Sequence, residues 1–130
     1  MKSIDTNVLA RYVMQDDPVQ SPIATNFLAT QDCLVSDTVL LETAWLLSSR
    51  FQVGRHDLVA TLRAIIDLPG VTVGDKHMID WALDRFADGA DFADMLHIVG
   101  ARHSDAFVSF ENDLIKLAGP HVPTRVEQLG

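Results

Sequence analysis

The sequence predicts an α/β fold with a mainly parallel sheet, and three observations support this prediction. Short apolar segments typical of strands alternate along the chain with longer segments of helical periodicity. Such alternation is typical of a sheet covered by helices on both faces. The composition, 48% hydrophobic and 22% charged, is ordinary for a globular protein. No internal repeat or long linker divides the chain, so one domain over residues 1–130 is expected.

The first elements follow from local patterns near the amino terminus. KSI is the expected first strand, and a helix is expected over about Thr6–Met14, where apolar residues share one side. Ser21 and Pro22 are expected to supply a cap and a first-turn proline for a second helix that ends near Ala29. CLVS then predicts a second strand.

The rest of the chain continues the alternation. The expected elements are helices over Asp37–Arg50 and Asp57–Asp67, a strand at VTV between Gly70 and Gly74, helices over about Lys76–Phe86 and Asp91–Arg102, a strand at AFVSF, a short helix at LIKLA and an edge strand at TRVEQL. Functional groups of parallel sheets collect beyond the carboxyl ends of their strands. Asp5 follows the first strand, and Ser109, Glu111 and Asp113 lie at the end of AFVSF or just after it, so these residues are expected at one edge of one sheet.

Charge and cysteine content exclude some classes of function. Ten basic and 18 acidic residues give a formal net charge of -8, which argues against passive nucleic-acid binding through a basic surface. An enzyme that acts on nucleic acid through bound cations remains possible. The lone Cys33 excludes an internal disulfide framework and suits a reducing compartment. No signal peptide and no apolar run of about 20 residues is present, so a cytoplasmic protein with no membrane association is expected.

Glu42 is the most informative acid on physical grounds. It lies in VLLETAWLL, a helix that is apolar on almost every side, so burial is expected. A buried ionised carboxylate needs hydrogen bonds, a cation or a raised pKa. The alternative is an exposed stripe of Thr38, Glu42 and Trp45 that faces water. The helix alone does not decide between these interpretations.

Other acids have ordinary structural roles when each is taken alone. Asp5 can be a turn or helix-cap residue. Asp91 and Asp94 share the face of a helix near its amino end, where acids offset the helix dipole, and Asp91 can be the N-cap. Glu111 and Asp113 can belong to a polar loop that opens a helix. Together, however, acids from four separate elements form a set of hard oxygen ligands suited to Mg²⁺ or Mn²⁺. Such ions activate water and neutralise a scissile phosphate.

These segments resemble those of PIN-domain ribonucleases, most closely the VapC-type toxins of bacterial toxin–antitoxin pairs. The resemblance covers essentially the whole chain and rests on SIDTNVLARYV, SDTVLLETAWLL, GADFADMLHIVGAR and AFVSFENDLIKLAG. It implies a three-layer α/β/α sandwich and Mg²⁺- or Mn²⁺-dependent cleavage of RNA. It also implies that Asp5, Glu42 and Asp94 are metal-ligating catalytic acids and that Asp91 supports them. Thr6 and Asn7 start the first helix, and we expect them to steady the Asp5 carboxylate.

The fourth motif departs from the family pattern. Where the family has a threonine, an aromatic or basic residue and an aspartate, this chain has Ser109, Phe110 and Glu111. Glu111 keeps the charge on a side chain one methylene longer, and Asp113 is close enough in sequence to substitute. We expect Glu111 to be the fourth metal ligand. The resemblance further implies a homodimer that is inhibited by a VapB-like antitoxin.

Two other classes of function compete with a nuclease. A phosphoryl-accepting receiver domain is also small, acidic and Mg²⁺-dependent, but the adjacent acids Asp16 and Asp17 follow a helix, and no lysine follows AFVSF before Lys116. A PIN-like binding module without catalysis is the other alternative.

The five histidines lack the spacing of a zinc site. Trp45 and Trp81 are expected to be core or dimer contacts rather than base-stacking platforms. The scattered basic residues, which can hold RNA phosphate but are expected to be solvated surface, are Arg11, Arg50, Arg55 and Lys116.

Overall fold

The structure is a computed structural model that describes residues 1–130. The chain forms two compact units, unit 1 at Met1–Lys76 and unit 2 at His77–Gly130. No helix in either unit is both long and apolar enough to cross a membrane.

Unit 1 contains a three-stranded parallel sheet in the order β1–β2–β3. Its elements are β1 (Lys2–Ser3), α1 (Thr6–Met14), α2 (Gln20–Thr30), β2 (Cys33–Val35), α3 (Asp37–Ser49), α4 (Arg55–Ile66) and β3 (Val71–Val73). In the register, Cys33 of the central strand lies opposite Lys2 on one side and Val71 on the other. Helices connect the successive strands, as parallel pairing requires.

The core of unit 1 forms where helix stripes meet the central strand. Leu40, Ala44 and Leu47 lie on one face of α3 and are almost fully buried, as are Cys33 and Val35 of β2. Burial is also the main reason why the pKa of the Cys33 thiol is raised, and the nearby Asp32 charge adds to the effect. Cys33 is therefore a packing residue that remains a neutral thiol.

Unit 2 pairs two parallel strands in a separate ladder. Its elements are α5 (Lys76–Ala87, which begins at the unit boundary), α6 (Phe92–Gly100), β4 (Ala106–Ser109), α7 (Leu114–Ala118) and β5 (Arg125–Gln128). The rings of Phe86 and Phe92 stack with centroids 5.3 Å apart. Arg85 Nε donates to the Leu117 carbonyl at 2.8 Å, which ties α5 to the end of α7.

The α/β class and its parallel strands are confirmed, but the expectation of one shared sheet edge is not. The ladders place β1 in a three-stranded sheet and β4 in a two-stranded sheet. β1 has only two residues, because the chain turns into α1 directly after it. Its short backbone offers few groups for pairing.

Two helix starts differ from the prediction. Ser21 does not cap α2, because the helix begins at Gln20 and Asp17 Oδ1 accepts from the backbone N–H groups of Val19 and Gln20. These two hydrogen bonds lower the pKa of Asp17. Ser21 is buried, and its hydroxyl accepts from the Asp17 N–H at 3.2 Å. Helix α4 begins at Arg55, directly after the N-cap Gly54, so it starts earlier than the predicted Asp57.

Candidate functional site

Asp5 links the first strand to the first helix. It is the N-cap of α1, with an extended backbone at φ -96° and ψ 175°, and its Oδ1 accepts from the Val8 N–H at 3.2 Å. This confirms the capping role that the sequence allowed. The side chain is exposed, and Oδ2 has no protein partner. A capping carboxylate of this kind can still present its second oxygen to a ligand.

Glu42 is held by the residue that follows Asp5. Thr6 is only 5% exposed, and its hydroxyl donates a hydrogen bond to Glu42 Oε1. The expected support of the Asp5 carboxylate by Thr6 is therefore not what the structure has. Instead, Thr6 fixes the position of the second acid, which comes from a different helix.

The expected burial of Glu42 is wrong, and the alternative, an exposed stripe of Thr38, Glu42 and Trp45, is confirmed. Glu42 is exposed on a face of α3 that also carries Trp45, whereas the opposite face carries the buried Leu40, Ala44 and Leu47. Trp45 is 66% exposed, so the core alternative is wrong for it, and the dimer-contact alternative stays a prediction. Helix α3 is apolar on several faces, and packing against its neighbours leaves one of these faces open.

Asp5 and Glu42 line one cleft. The cleft has a volume of about 230 Å³, and its lining residues are Asp5, Thr6, Asn7, Glu42, Trp45 and Leu46. The sequence placed Asn7 beside Asp5, but it did not assign Trp45 to this site. The available signal for Trp45 was its spacing three residues after Glu42, which places these two side chains on one side of α3.

Unit 2 brings the other predicted acids into electrostatic contact. Asp91 is the N-cap of α6, and its Oδ1 accepts from the Asp94 N–H at 3.0 Å. The pKa of Asp94 is raised, first by burial and then by the negative charge of Asp91, with Glu111 and Asp113 adding smaller effects of the same sign. The positive form of His97 opposes this shift. A nearby cation would oppose both causes of this raised pKa by stabilising the ionised form of Asp94.

The segment after β4 places the two candidates for the fourth ligand. Ser109 Oγ accepts from the Glu111 N–H at 3.0 Å, so the serine shapes the turn in which Glu111 lies. Asp113 precedes α7 but makes no side-chain capping bond. Both carboxylates are exposed, and Phe110 between Ser109 and Glu111 is 78% exposed. Their positions leave both acids available for a ligand.

The oxygen donors of the acids in unit 1 and of those in unit 2 are of the type that binds a hard divalent cation. In neither unit do three or more His, Cys, Asp or Glu side chains have the spacing of a metal-binding group. The candidate donors of unit 1 are the oxygens of Asp5, Asn7 and Glu42, and those of unit 2 are carboxylates. Oxygen donors without cysteine or clustered histidine suit Mg²⁺ or Mn²⁺ rather than zinc.

The structure combines parallel α/β architecture with acidic N-caps that accept backbone hydrogen bonds on two helices, Asp5 on α1 and Asp91 on α6. The chain belongs to the PIN domain family, which matches residues 3–120. PIN domains have a nuclease fold, are generally hydrolases that act on nucleic acid, and are typically dependent on divalent metals. The predicted α/β sandwich class is thereby confirmed, and the match favours the PIN hypothesis over the receiver domain. No individual curated protein matches the sequence.

Proposed function

We propose that the protein is an endoribonuclease dependent on Mg²⁺ or Mn²⁺ and the toxin of a VapBC-type toxin–antitoxin pair. The observation that carries this proposal is the cleft in which Asp5 and Glu42 lie together, with the Thr6 hydroxyl bonded to Glu42. Membership of the PIN domain family supports nuclease activity. The choice of RNA and the toxin role depend on the resemblance of the four sequence motifs to VapC-type proteins.

Each acid has a distinct role in this proposal. Asp5, Glu42 and Asp94 are the catalytic acids and, with Glu111, the metal ligands. When bound, Mg²⁺ or Mn²⁺ supplies positive charge to the scissile phosphate and makes water a better nucleophile. Asp5 and Glu42 offer carboxylate oxygens in the cleft of unit 1. Thr6 holds Glu42 in one orientation, which reduces the freedom that binding would otherwise remove.

Asp91, Ser109 and Asp113 have supporting roles. Asp91 bonds to the backbone N–H of Asp94 and so fixes the first turn of α6. Ser109 fixes the backbone of Glu111. Asp113 adds negative charge near Asp94, which favours a cation in this region. None of these three residues is required to contact RNA.

Purified protein free of any partner should cleave RNA in Mg²⁺ and stop when EDTA is added. Asp5→Asn, Glu42→Gln and Asp94→Asn should each abolish cleavage and leave the circular dichroism spectrum unchanged, because each removes a charge without removing volume. Lys116→Gln changes an exposed residue that is not one of the proposed acids, so it is the matched control and should cleave RNA as the wild type does. RNA binding without cleavage on a broad panel would instead support a PIN-like binding module.

The proposed partners are a second copy of the chain and a basic segment of a VapB-like antitoxin. The net charge of -8 complements a basic segment. A groove of about 530 Å³ is lined by Ser3, Ile4, Asp5 and residues of α1 and α2, among them Ile23, which is 64% exposed. Asp5 also lines the cleft of Glu42, so a partner in this groove would lie next to the acids. By contrast, the large apolar side chains of Leu58–Ile66 in α4 are buried, so this segment belongs to the core of unit 1.

Co-purification from native cytoplasm tests this partnership. The antitoxin should be recovered with the protein, and its addition should suppress RNA cleavage. An Ile23→Asp variant should lose the partner and keep the cleavage activity, because Ile23 lies outside the acid cleft. Recovery of an inhibitor by this variant at the wild-type level would place the docking surface elsewhere.

A further inference from the structure

Trp45 is a large exposed aromatic side chain at the edge of the acid cleft. It is 66% exposed and lines the same cleft as Asp5 and Glu42. We infer that Trp45 stacks on an unpaired base of single-stranded RNA and so positions the neighbouring phosphate at the acids. This inference rests on the proposed function and adds to it a residue of this chain that contacts a base of the substrate.

The surroundings of Trp45 favour a nucleobase over an apolar protein surface. Asp5, Asn7 and Glu42 lie around the same cleft, and the two acids are exposed. An apolar partner that covered Trp45 would remove these carboxylates from water, which is costly without compensating hydrogen bonds. A flat base covers only the indole face and leaves the carboxylates hydrated. Base stacking on aromatic side chains is the common way in which proteins bind single strands.

A second cleft next to the first supplies positive charge. It has a volume of about 240 Å³, shares Asn7 and Leu46 with the acid cleft, and is also lined by Arg11 and Arg50. The two clefts therefore form a continuous surface along α1 and α3. One end carries the carboxylates of Asp5 and Glu42, and the other end carries two guanidinium groups together with the carboxylate of Asp16.

Arg50 is the arginine that is available to a phosphate. Arg11 Nη1 donates to both carboxylate oxygens of Asp16 at 3.0 Å, so its charge is already paired. Arg50 is exposed at the carboxyl end of α3 and has no carboxylate partner. It lies eight residues after Glu42, or about 12 Å along the helix axis. A strand whose base stacks on Trp45 can therefore place a more distant phosphate at Arg50.

This arrangement predicts a preference for unpaired RNA. In a duplex each base is stacked on its neighbours, so its face is closed to Trp45 until the helix is opened. The overall charge of -8 also limits binding through charge alone, which increases the share of affinity that stacking must supply. Trp45 is thus expected to affect single-stranded RNA much more than duplex RNA.

Tryptophan fluorescence tests the inference without the need for cleavage. The protein has two tryptophans, so Trp81→Phe leaves Trp45 as the only reporter. In an Asp94→Asn, Trp81→Phe protein with Mg²⁺, a single-stranded oligoribonucleotide should quench the emission. An abasic strand of equal length should bind weakly and not quench. Quenching of equal size by both strands would overturn base stacking.

Substitutions at Trp45 separate stacking from simple apolar contact. Trp45→Phe keeps an aromatic face and should bind single-stranded RNA within about threefold of the wild type, whereas Trp45→Leu should bind about tenfold more weakly. Val19→Ala is the control, because Val19 is also 66% exposed but lines neither cleft. Arg50→Gln should reduce the slope of log binding constant against log salt by about 0.7.

Failure of this inference is distinguishable from failure of the proposed function. Cleavage of RNA with unchanged binding in Trp45→Leu would overturn the stacking role and leave the nuclease proposal intact. If RNA quenched the Trp45 emission but the wild-type protein cleaved no RNA, the nuclease proposal would be overturned and the stacking role would stand. If Trp45→Leu converted a dimer to a monomer and left RNA binding unchanged, Trp45 would be a subunit contact and the inference would be wrong.

Discussion

The hydrogen bond between Thr6 and Glu42 allows the design of a pair of variants that separates stability from positioning. Thr6→Val replaces the hydroxyl with a methyl group of similar size, so it removes the donor to Glu42 Oε1. Thr6→Ser keeps the hydroxyl and removes the methyl group. Because Thr6 is only 5% exposed, both changes affect a packed position, but only the first one frees Glu42.

The two variants should lose similar amounts of stability for different reasons. A hydrogen bond to a charged group contributes roughly 1.5–3 kcal/mol. Glu42 is exposed, so water can replace the lost donor, and Thr6→Val should reduce the free energy of unfolding by about 1 kcal/mol. Thr6→Ser removes one buried methyl group, a loss of about 0.8 kcal/mol. Urea denaturation measures both values.

Activity should distinguish the pair. We expect kcat/KM for RNA cleavage to fall about tenfold in Thr6→Val, equivalent to about 1.4 kcal/mol of transition-state stabilisation, because the Glu42 carboxylate loses its fixed orientation. Thr6→Ser should remain within about threefold of the wild type. Equal activities in variants of equal stability would refute the argument that Thr6 positions Glu42.

Four further substitutions test three separate parts of the structure. The folded-state pKa of Asp94 is raised above its ordinary 3.8, so its ionisation lowers stability as the pH rises through the folded-state pKa. At pH 7, Asp94→Asn should therefore unfold at a higher urea concentration than the metal-free wild type, whereas near pH 3 the two proteins should unfold at the same concentration. An equal difference at both pH values would show that ionisation of Asp94 is not the reason. Glu111→Ala should raise the Mg²⁺ concentration for half-maximal cleavage more than Asp113→Ala does. The reverse ranking would assign the fourth metal ligand to Asp113. If neither variant changed this concentration, Asp5, Glu42 and Asp94 would be the only acids that bind the metal. Gly119→Ala should cost about 1–3 kcal/mol, since φ is +76° and the added Cβ lies 3.2 Å from Arg85 Cζ; an unchanged melting temperature would show that the backbone relaxes.

Local sequence signals predicted most of the elements. Helix α1 has its predicted bounds, Thr6–Met14, because the Asp5 cap and the apolar periodicity indicate the same start. Strand β3 has its predicted residues because Gly70 and Gly74 bracket a short β-branched segment. Such signals depend on neighbouring residues and therefore need no knowledge of tertiary packing.

The exposure of Glu42 and Trp45 was not predictable in this way. Helix α3 is apolar on several sides, so its sequence does not indicate which face packs against the core. The cap of α2 was missed for a related reason, since Asp17 lies four residues before Ser21 and Pro18 separates it from the helix. Both features depend on how the chain turns between elements, which hydrophobic periodicity does not record.

The fourth acid shows which features of the candidate site are predictable from the sequence and which are not. Sequence identified the negative charges of Glu111 and Asp113, and the structure adds that both act on Asp94, with Glu111 the stronger. The hydrogen bond from the Glu111 N–H to Ser109 Oγ was not predicted. The residue types therefore predicted the chemistry of the site. The orientation of each carboxylate depends on turn geometry, which the residue types do not show.

A Mg²⁺ titration of RNA cleavage by the wild-type protein and Glu42→Gln tests the central claim most directly. The wild type should show no cleavage in EDTA, saturable cleavage as Mg²⁺ is added, and the same activity again when excess Mg²⁺ follows EDTA. Glu42→Gln should remain folded and inactive at every Mg²⁺ concentration. Cleavage by the wild type that persists in EDTA, or an identical titration curve for Glu42→Gln, would contradict metal-dependent catalysis by this acid cleft.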